Sequence, residues 1–234
     1  MVRQRLTAAA ALLTTAGAVA CATDAPTAPG APAPSASPPA AISASTPTSW
    51  ANQKLTQTQL NRILESEKQR IAQAQEASKS TYDALKVQWD AFLKTNPSPT
   101  SSAFLMCDPL QYTGDTKIIG PEGGDMSVGP HKLSIPRGAL AYATVITGEM
   151  PVTSDVQVRL SPHGLQFKSG VRLELSYKHC YRPDAEPKSV AYVNDLMQIL
   201  EWPLSTDRAN DGLAQATIGH FSGYTVAWSR KRTY

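Results

Sequence analysis

Cysteine, histidine and phenylalanine are scarce in this chain of 234 residues, with three, four and four copies. No excess of charge stands out either: 22 basic side chains face 19 acidic ones, a net +3. That balance excludes the dense basic face of a dedicated nucleic-acid binder, and the Arg230, Lys231, Arg232 run reads as a solvated tail. So few histidines leave little for a metal centre; His163, His179 and Cys180 lack ligand spacing, and no metal is expected. There is no GxSxG elbow, so a hydrolase triad of His220, Ser222 and Asp207 or Asp211 has no nucleophile turn to stand on. "GPEGG" is too short a glycine pattern for a dinucleotide or phosphate loop, and no cofactor is expected.

The first twenty residues set the compartment. Arg3 and Arg5 precede an uncharged stretch, Ala8 to Ala20, that is too short to span a bilayer comfortably. Residues 1–20 therefore read as a secretory signal. "AVAC" at its end resembles the bacterial lipobox, with Ala18 where that family prefers leucine. The resemblance implies a diacylglycerol on Cys21 as the new N-terminus and membrane attachment through it. Ala22 after the cysteine implies, within that family, the outer membrane of a two-membrane cell. The expected location is the cell envelope; cleavage near Ala20 or Ala22 of an ordinary signal would make the protein secreted.

Residues 21–48 carry seven prolines among alanine, serine and threonine. Too few apolar side chains are present to offset ordering entropy, so a disordered tether is expected. From 49 to 95 the composition reverses, with no glycine or proline before Pro97. Leu60, Ile63, Leu64, Ile71, Ala74, Leu85, Trp89 and Phe92 recur at helical spacing, which predicts one long amphipathic helix opened by Thr56 or Thr58. Glu67 and Gln88 on the seam oppose a coiled coil. The C-terminal stripe of Tyr82, Leu85, Trp89 and Phe92 is expected to pack on the domain C-terminal to the helix.

Residues 106–229 shorten the rhythm. "HKLSI", "TVITGEM", "VQVRL", "VRLELSY", "MQILEW", "AQATIG" and "YTVAW" are short β-type runs between "GPEGG", "VGP", "SPHG", "KSG" and "TDRANDG" turns. Many short strands at even spacing predict a mainly β protein, an antiparallel sandwich. Val171, Leu173, Leu175 and Tyr177 alternate with Arg172, Glu174 and Ser176, as do Val156, Val158 and Leu160 with their neighbours. Cys107 and Cys180 flank predicted strands, so they either bridge a sheet edge as a disulfide or remain two buried thiols.

"IIGPEGGDMSVGPHKLSIPRGAL", "LSPHGLQFKSGVRLELSY" and "HFSGYTVAW" together resemble the ZU5 domain, in that family's order and across residues 110–229. Pro136 and Gly138 suit a covering turn whatever the family, as does Gly164 beside Pro162, with His163 a turn histidine. The resemblance implies a sandwich that binds other proteins, here an unidentified protein or envelope component, and no site for a separate substrate. The exposed sheet edges and the "GPEGG" and "TDRANDG" loops are the expected contacts.

A subset of that family cleaves itself at "HFS". Carried over, Ser222 would be the nucleophile, His220 its base and Phe221 the scissile carbonyl. The alternative makes the segment the last strand, with His220 at its end, Ser222 bonded to backbone and Gly223 at a bulge. The strand reading is preferred, because "FSGY" replaces the bulky aromatic cluster of the self-cleaving kind.

Overall fold

The computed structural model describes residues 50–99, 103–181 and 186–229. The expected signal segment, Cys21 and the expected tether lie outside these residues. Among the described residues, no helix is long and apolar enough to cross a membrane.

The helical region begins at Thr56, whose hydroxyl accepts from the Gln59 backbone while the Gln59 side chain accepts from the Thr56 N–H. This reciprocal cap satisfies two donors that a helix start leaves free. The single helix expected over 49–95 is instead two, α1 (Gln57–Ala77) and α2 (Lys79–Thr95). Ser78 interrupts them, its hydroxyl donating to the Gln75 carbonyl, a local bond that competes with the helical ladder. Docking also differs from expectation. In α2 only Trp89 is fully buried, its indole N–H 2.8 Å from Asp108 Oδ1, whereas α1 lies along two strands, β2 (Thr113–Ile119) and β5 (Thr144–Met150), with Leu60 and Ile71 buried. Gly114 in β2 permits that approach: a Cβ there would stand 2.9 Å from Ile71 Cγ2.

The remaining body is mainly β and wholly antiparallel among the described pairings. Between these two strands lie β3 (Gly124–Val128) and β4 (His131–Ile135), and β1 (Met106–Cys107) precedes them all. Then come β6 (Gln157–Ser161), β7 (Gln166–Ser176), β8 (Cys180–Tyr181), β9 (Lys188–Val193), β10 (Ile199–Glu201), β11 (Ser205–Arg208), β12 (Leu213–His220) and β13 (Gly223–Trp228). One sheet runs β10-β9-β13-β6-β5-β2, a second β11-β12-β7-β4-β3, and β1 pairs with β8 alone. One hydrophobic core draws on both larger sheets: Leu133, Val171, Leu173, Leu175, Ala216 and Ile218 from one, Ile146, Val158, Leu160, Tyr224 and Val226 from the other. The alternations read in β6 and β7 hold, except that Ser176 and Gln157 are buried as well. Cys107 and Cys180 face each other in the β1–β8 ladder and are disulfide-bonded.

Six strands, β1, β2, β3, β8, β9 and β11, have no counterpart among the β-type runs of the sequence. β2 and β11 are polar edge strands, and "TDRANDG" divides into the end of β11, a 3-10 turn at Ala209–Asp211 and Gly212 at φ 61°. β9 follows Pro187 directly, where a turn signal outweighs its apolar letters.

An ionic network fastens α1. The Arg70 guanidinium lies 2.9 Å from both Glu67 Oε2 and Glu149 Oε2, and the Tyr112 hydroxyl donates to Glu149. Burial alone would raise the Glu149 carboxyl, but hydrogen bonds from Arg70 and Tyr112 outweigh it and hold the group below its usual value. A depressed carboxylate stabilises the fold above its unfolded pKa, and that contribution is lost as pH falls through the folded value. Arg70→Met should therefore cost about 2 kcal/mol at neutral pH, between exposed and buried pairs. The difference from the parent should shrink below about pH 4, as urea unfolding across pH 3–7 would report.

Candidate functional site

The triplet His220-Phe221-Ser222 occupies a crossing. β12 ends at His220 in the five-stranded sheet, and β13 starts at Gly223 in the six-stranded one. Two residues thus carry the chain from one sheet to the other, so the closing strand begins at Gly223 and not at His220. The bulge expected at Gly223 is displaced as well. Gly223 pairs in register with Arg159 and Val193, while the irregularity falls between Ile218 and His220 in the β12–β7 ladder. Gly219, without a Cβ, occupies that irregular position, and a Cβ there would meet nothing within 4 Å.

Each of the three side chains has a different setting. Phe221 is buried and meets Phe167 edge-on, centroids 4.9 Å apart. Ser222 is 3% exposed, and its carbonyl accepts from the Leu160 N–H at 2.9 Å. It is therefore the Ser222 backbone that continues the ladder toward β6. His220 turns away from the crossing: its ring meets Tyr192 at 4.9 Å, and Nε2 lies 3.6 Å from Glu201 Oε2. Among the hydrogen bonds of the described residues, none joins the His220 imidazole to the Ser222 hydroxyl. The Tyr224 hydroxyl donates to the His220 carbonyl at 2.7 Å, bracing the crossing from four residues downstream. Burial, with smaller effects of Glu201 and Tyr192, pushes that phenol well above its ordinary value, so it stays a donor.

Backbone strain is what an acyl shift at Phe221 would draw on. Among the described non-glycine residues, positive φ occurs at Asn52 and Met197, not in the triplet. Asp207 and Asp211, weighed as triad acids, are engaged elsewhere. Asp207 accepts from the Tyr177 hydroxyl and from the Lys188 N–H, and Asp211 pairs with Arg208. Asp207→Ala would remove both of these hydrogen bonds and should cost about 2 kcal/mol, read as a lowered Tm with secondary structure retained.

The loops expected as contacts are partly structural. In "GPEGG" the Pro121 carbonyl accepts from the Gly138 N–H at 2.7 Å, so this turn and "IPRGAL" hold each other. Gly123 adopts φ 79°, and a Cβ there would lie 2.4 Å from the Ile135 carbonyl oxygen. Gly164, at φ 79°, and its neighbour Gln166 are clasped by Asn52: Asn52 Nδ2 donates to the Gly164 carbonyl and Asn52 Oδ1 accepts from the Gln166 N–H, both at 2.9 Å. Burial lowers the pKa of His163 beside them.

Of the donor set considered for a metal, His163 is not in the group the structure assembles. His179 and Cys180 gather with Cys107, and their ligand-type atoms all lie within 4.8 Å of one another.

What the sequence reading did not single out is an apolar rim. Leu196, Leu200 and Leu204 are 79%, 55% and 87% exposed. They lie on or beside β10, the outer strand of its sheet, and before β11, the outer strand of the other. β9 ties these margins together, because the Val190 N–H donates to Ser205 Oγ. Leu196 and Leu200, each beside an acidic residue (Asp195, Glu201), and Leu204 between Pro203 and Ser205 were the available signal.

No family model matches the chain, and no curated protein matches it.

Proposed function

We propose that this is an exported envelope protein, lipid-anchored through Cys21, whose β-body is a ZU5-like sandwich acting as a protein-interaction module. One observation carries the reading: the only large apolar side chains more than half exposed in the described β-region, Leu196, Leu200 and Leu204, are gathered at the open margin of the two sheets. A soluble monomer gains nothing from leucines there, and an unpaired outer strand offers backbone donors and acceptors to an extended segment of another chain. The partner that fits is an extended peptide with alternating apolar side chains, added beside β10. The core drawn from both sheets and the two-residue crossing at Phe221-Ser222 support the sandwich, in which that crossing serves as framework.

Auto-processing between Phe221 and Ser222 is the second reading. What favours it is only the triplet's position at a tight crossing; the His220 ring faces Glu201 instead of Ser222.

The test is affinity capture from envelope extract with the Cys21→Ser chain, beside a Leu200→Lys, Leu204→Lys variant. The reading expects a retained protein that the variant loses while its Tm stays within a few degrees of the parent. Equal capture by both would overturn the assignment to the β10 margin. Lipidation is checked separately by radiolabelled fatty-acid incorporation, expected in the full chain and abolished by Cys21→Ser.

A further inference from the structure

The surroundings of the disulfide contain more than a covalent brace requires. Cys107 and Cys180 are direct partners in the β1–β8 ladder, and His179 precedes Cys180 in a turn closed by the Cys180 N–H on the Tyr177 carbonyl at 3.1 Å. In a regular strand the residue beside a cysteine points to the opposite face. Here the turn frees His179 from that alternation, and its ring nitrogen comes within 4.8 Å of both sulfurs. Its backbone is held by the Asp108 N–H, which donates to the His179 carbonyl at 2.9 Å. Asp108 in turn accepts from the Trp89 indole at 2.8 Å, so this corner is tied to α2.

We propose that Cys107, Cys180 and His179 form a redox-gated site for a divalent cation that favours thiolate and imidazole donors, zinc being the best fit. Two cysteine sulfurs and one imidazole are three donors of the right chemistry, and a fourth position is left for water. Tetrahedral zinc needs its sulfur ligands about 3.8 Å apart, given zinc–sulfur bonds of about 2.3 Å. Two cysteines facing each other across one ladder rung reach that spacing by side-chain rotation once the bond between them is broken.

The gating step is a two-electron reduction. A dithiol reductant supplies two electrons and two protons, leaves as its own disulfide, and converts the Cys107–Cys180 bond to two thiols. The cation then binds both sulfurs as thiolates, releasing two protons, while His179 donates a ring-nitrogen lone pair with no proton loss. The oxidised protein has no thiolate to offer. The site is therefore closed under oxidising conditions and open under reducing ones.

The experiment uses the full chain carrying Cys21→Ser, so that the third cysteine cannot contribute, in disulfide form and after reduction with a phosphine. Zinc is titrated against a chromophoric chelator, and cobalt is added to look for a thiolate charge-transfer band. The reduced chain is expected to take up one zinc, at least 100-fold tighter than the oxidised chain, with about two protons released per ion. It should show the cobalt band and a Tm raised by zinc. His179→Ala should weaken zinc binding by at least 10-fold in the reduced chain and leave the oxidised chain's Tm unchanged. Equal zinc affinity in the reduced parent and reduced His179→Ala would overturn the proposal, as would a reduced chain that takes up no zinc. If reduction unfolds the protein, zinc must restore its far-UV spectrum; failure to do so also overturns it.

Discussion

A chain with Cys107→Ala and Cys180→Ala is expected to lose about 4 kcal/mol of stability relative to the disulfide form. The two cysteines are 73 positions apart in the sequence, and closing a loop of that length removes entropy from the unfolded chain worth roughly this amount. The loss should be concentrated at one corner. β1 and β8 are two residues each and pair with no other strand, so beyond the Cys107 N–H bond to the Ser154 carbonyl and core packing the disulfide is their covalent hold. Trp89 meets Asp108 and Tyr181 on the same ribbon; its fluorescence should shift toward that of exposed indole before the main unfolding transition. Denaturant unfolding followed by Trp fluorescence and by far-UV signal would check both parts. A loss under about 1 kcal/mol, with the two probes coincident, would show that the ribbon is held by packing alone.

The second large effect is on acid stability. His131 is buried, and its Nδ1 accepts from the Ser176 N–H at 3.1 Å. Because Nδ1 accepts, the neutral ring carries its proton on Nε2, which is buried with no hydrogen-bond partner; charging the ring would put a second proton on Nδ1, against the Ser176 N–H. Burial, with a smaller effect of His179, pushes its pKa down to about 3. A base whose folded pKa lies below its unfolded one contributes full stability above the unfolded value, about 6.5, and loses it as pH falls from there toward the folded value. Between pH 7 and pH 4.5 this group alone should remove about 2 kcal/mol. His131→Gln retains a carbonyl able to accept from Ser176 and does not titrate. Urea unfolding at the two pH values should show the parent losing about 2 kcal/mol more than this variant; equal losses would contradict the account.

These two effects also mark how far the amino-acid order can be read. Alternation in β4, β6 and β7 is visible because each sends one face into the core and the other outward. β5 shows no such alternation: α1 covers its outer face, and all but Glu149 of its residues are buried. α1 itself is legible from Leu60 and Ile71, whereas its docking rests on Gly114, a glycine whose meaning depends on a neighbour 43 positions earlier. The β4 alternation puts His131 on the face of Leu133 and Ile135, but nothing local announces its bond from Ser176, or that the disulfide has His179 beside it. Both arise from cross-strand register, which a single sequence does not display. The "HFS" triplet shows the same limit in reverse. Its letters suggest chemistry or a strand, and its place is a crossing between sheets.

The central claim is that this crossing is framework, so that Ser222 never attacks the carbonyl of Phe221. Intact mass of the purified chain, kept for days at neutral pH and again after mild reduction, tests it most directly. One species with an unbroken Phe221–Ser222 bond is the predicted result. Two fragments meeting at that bond, and absent from Ser222→Ala, would contradict it.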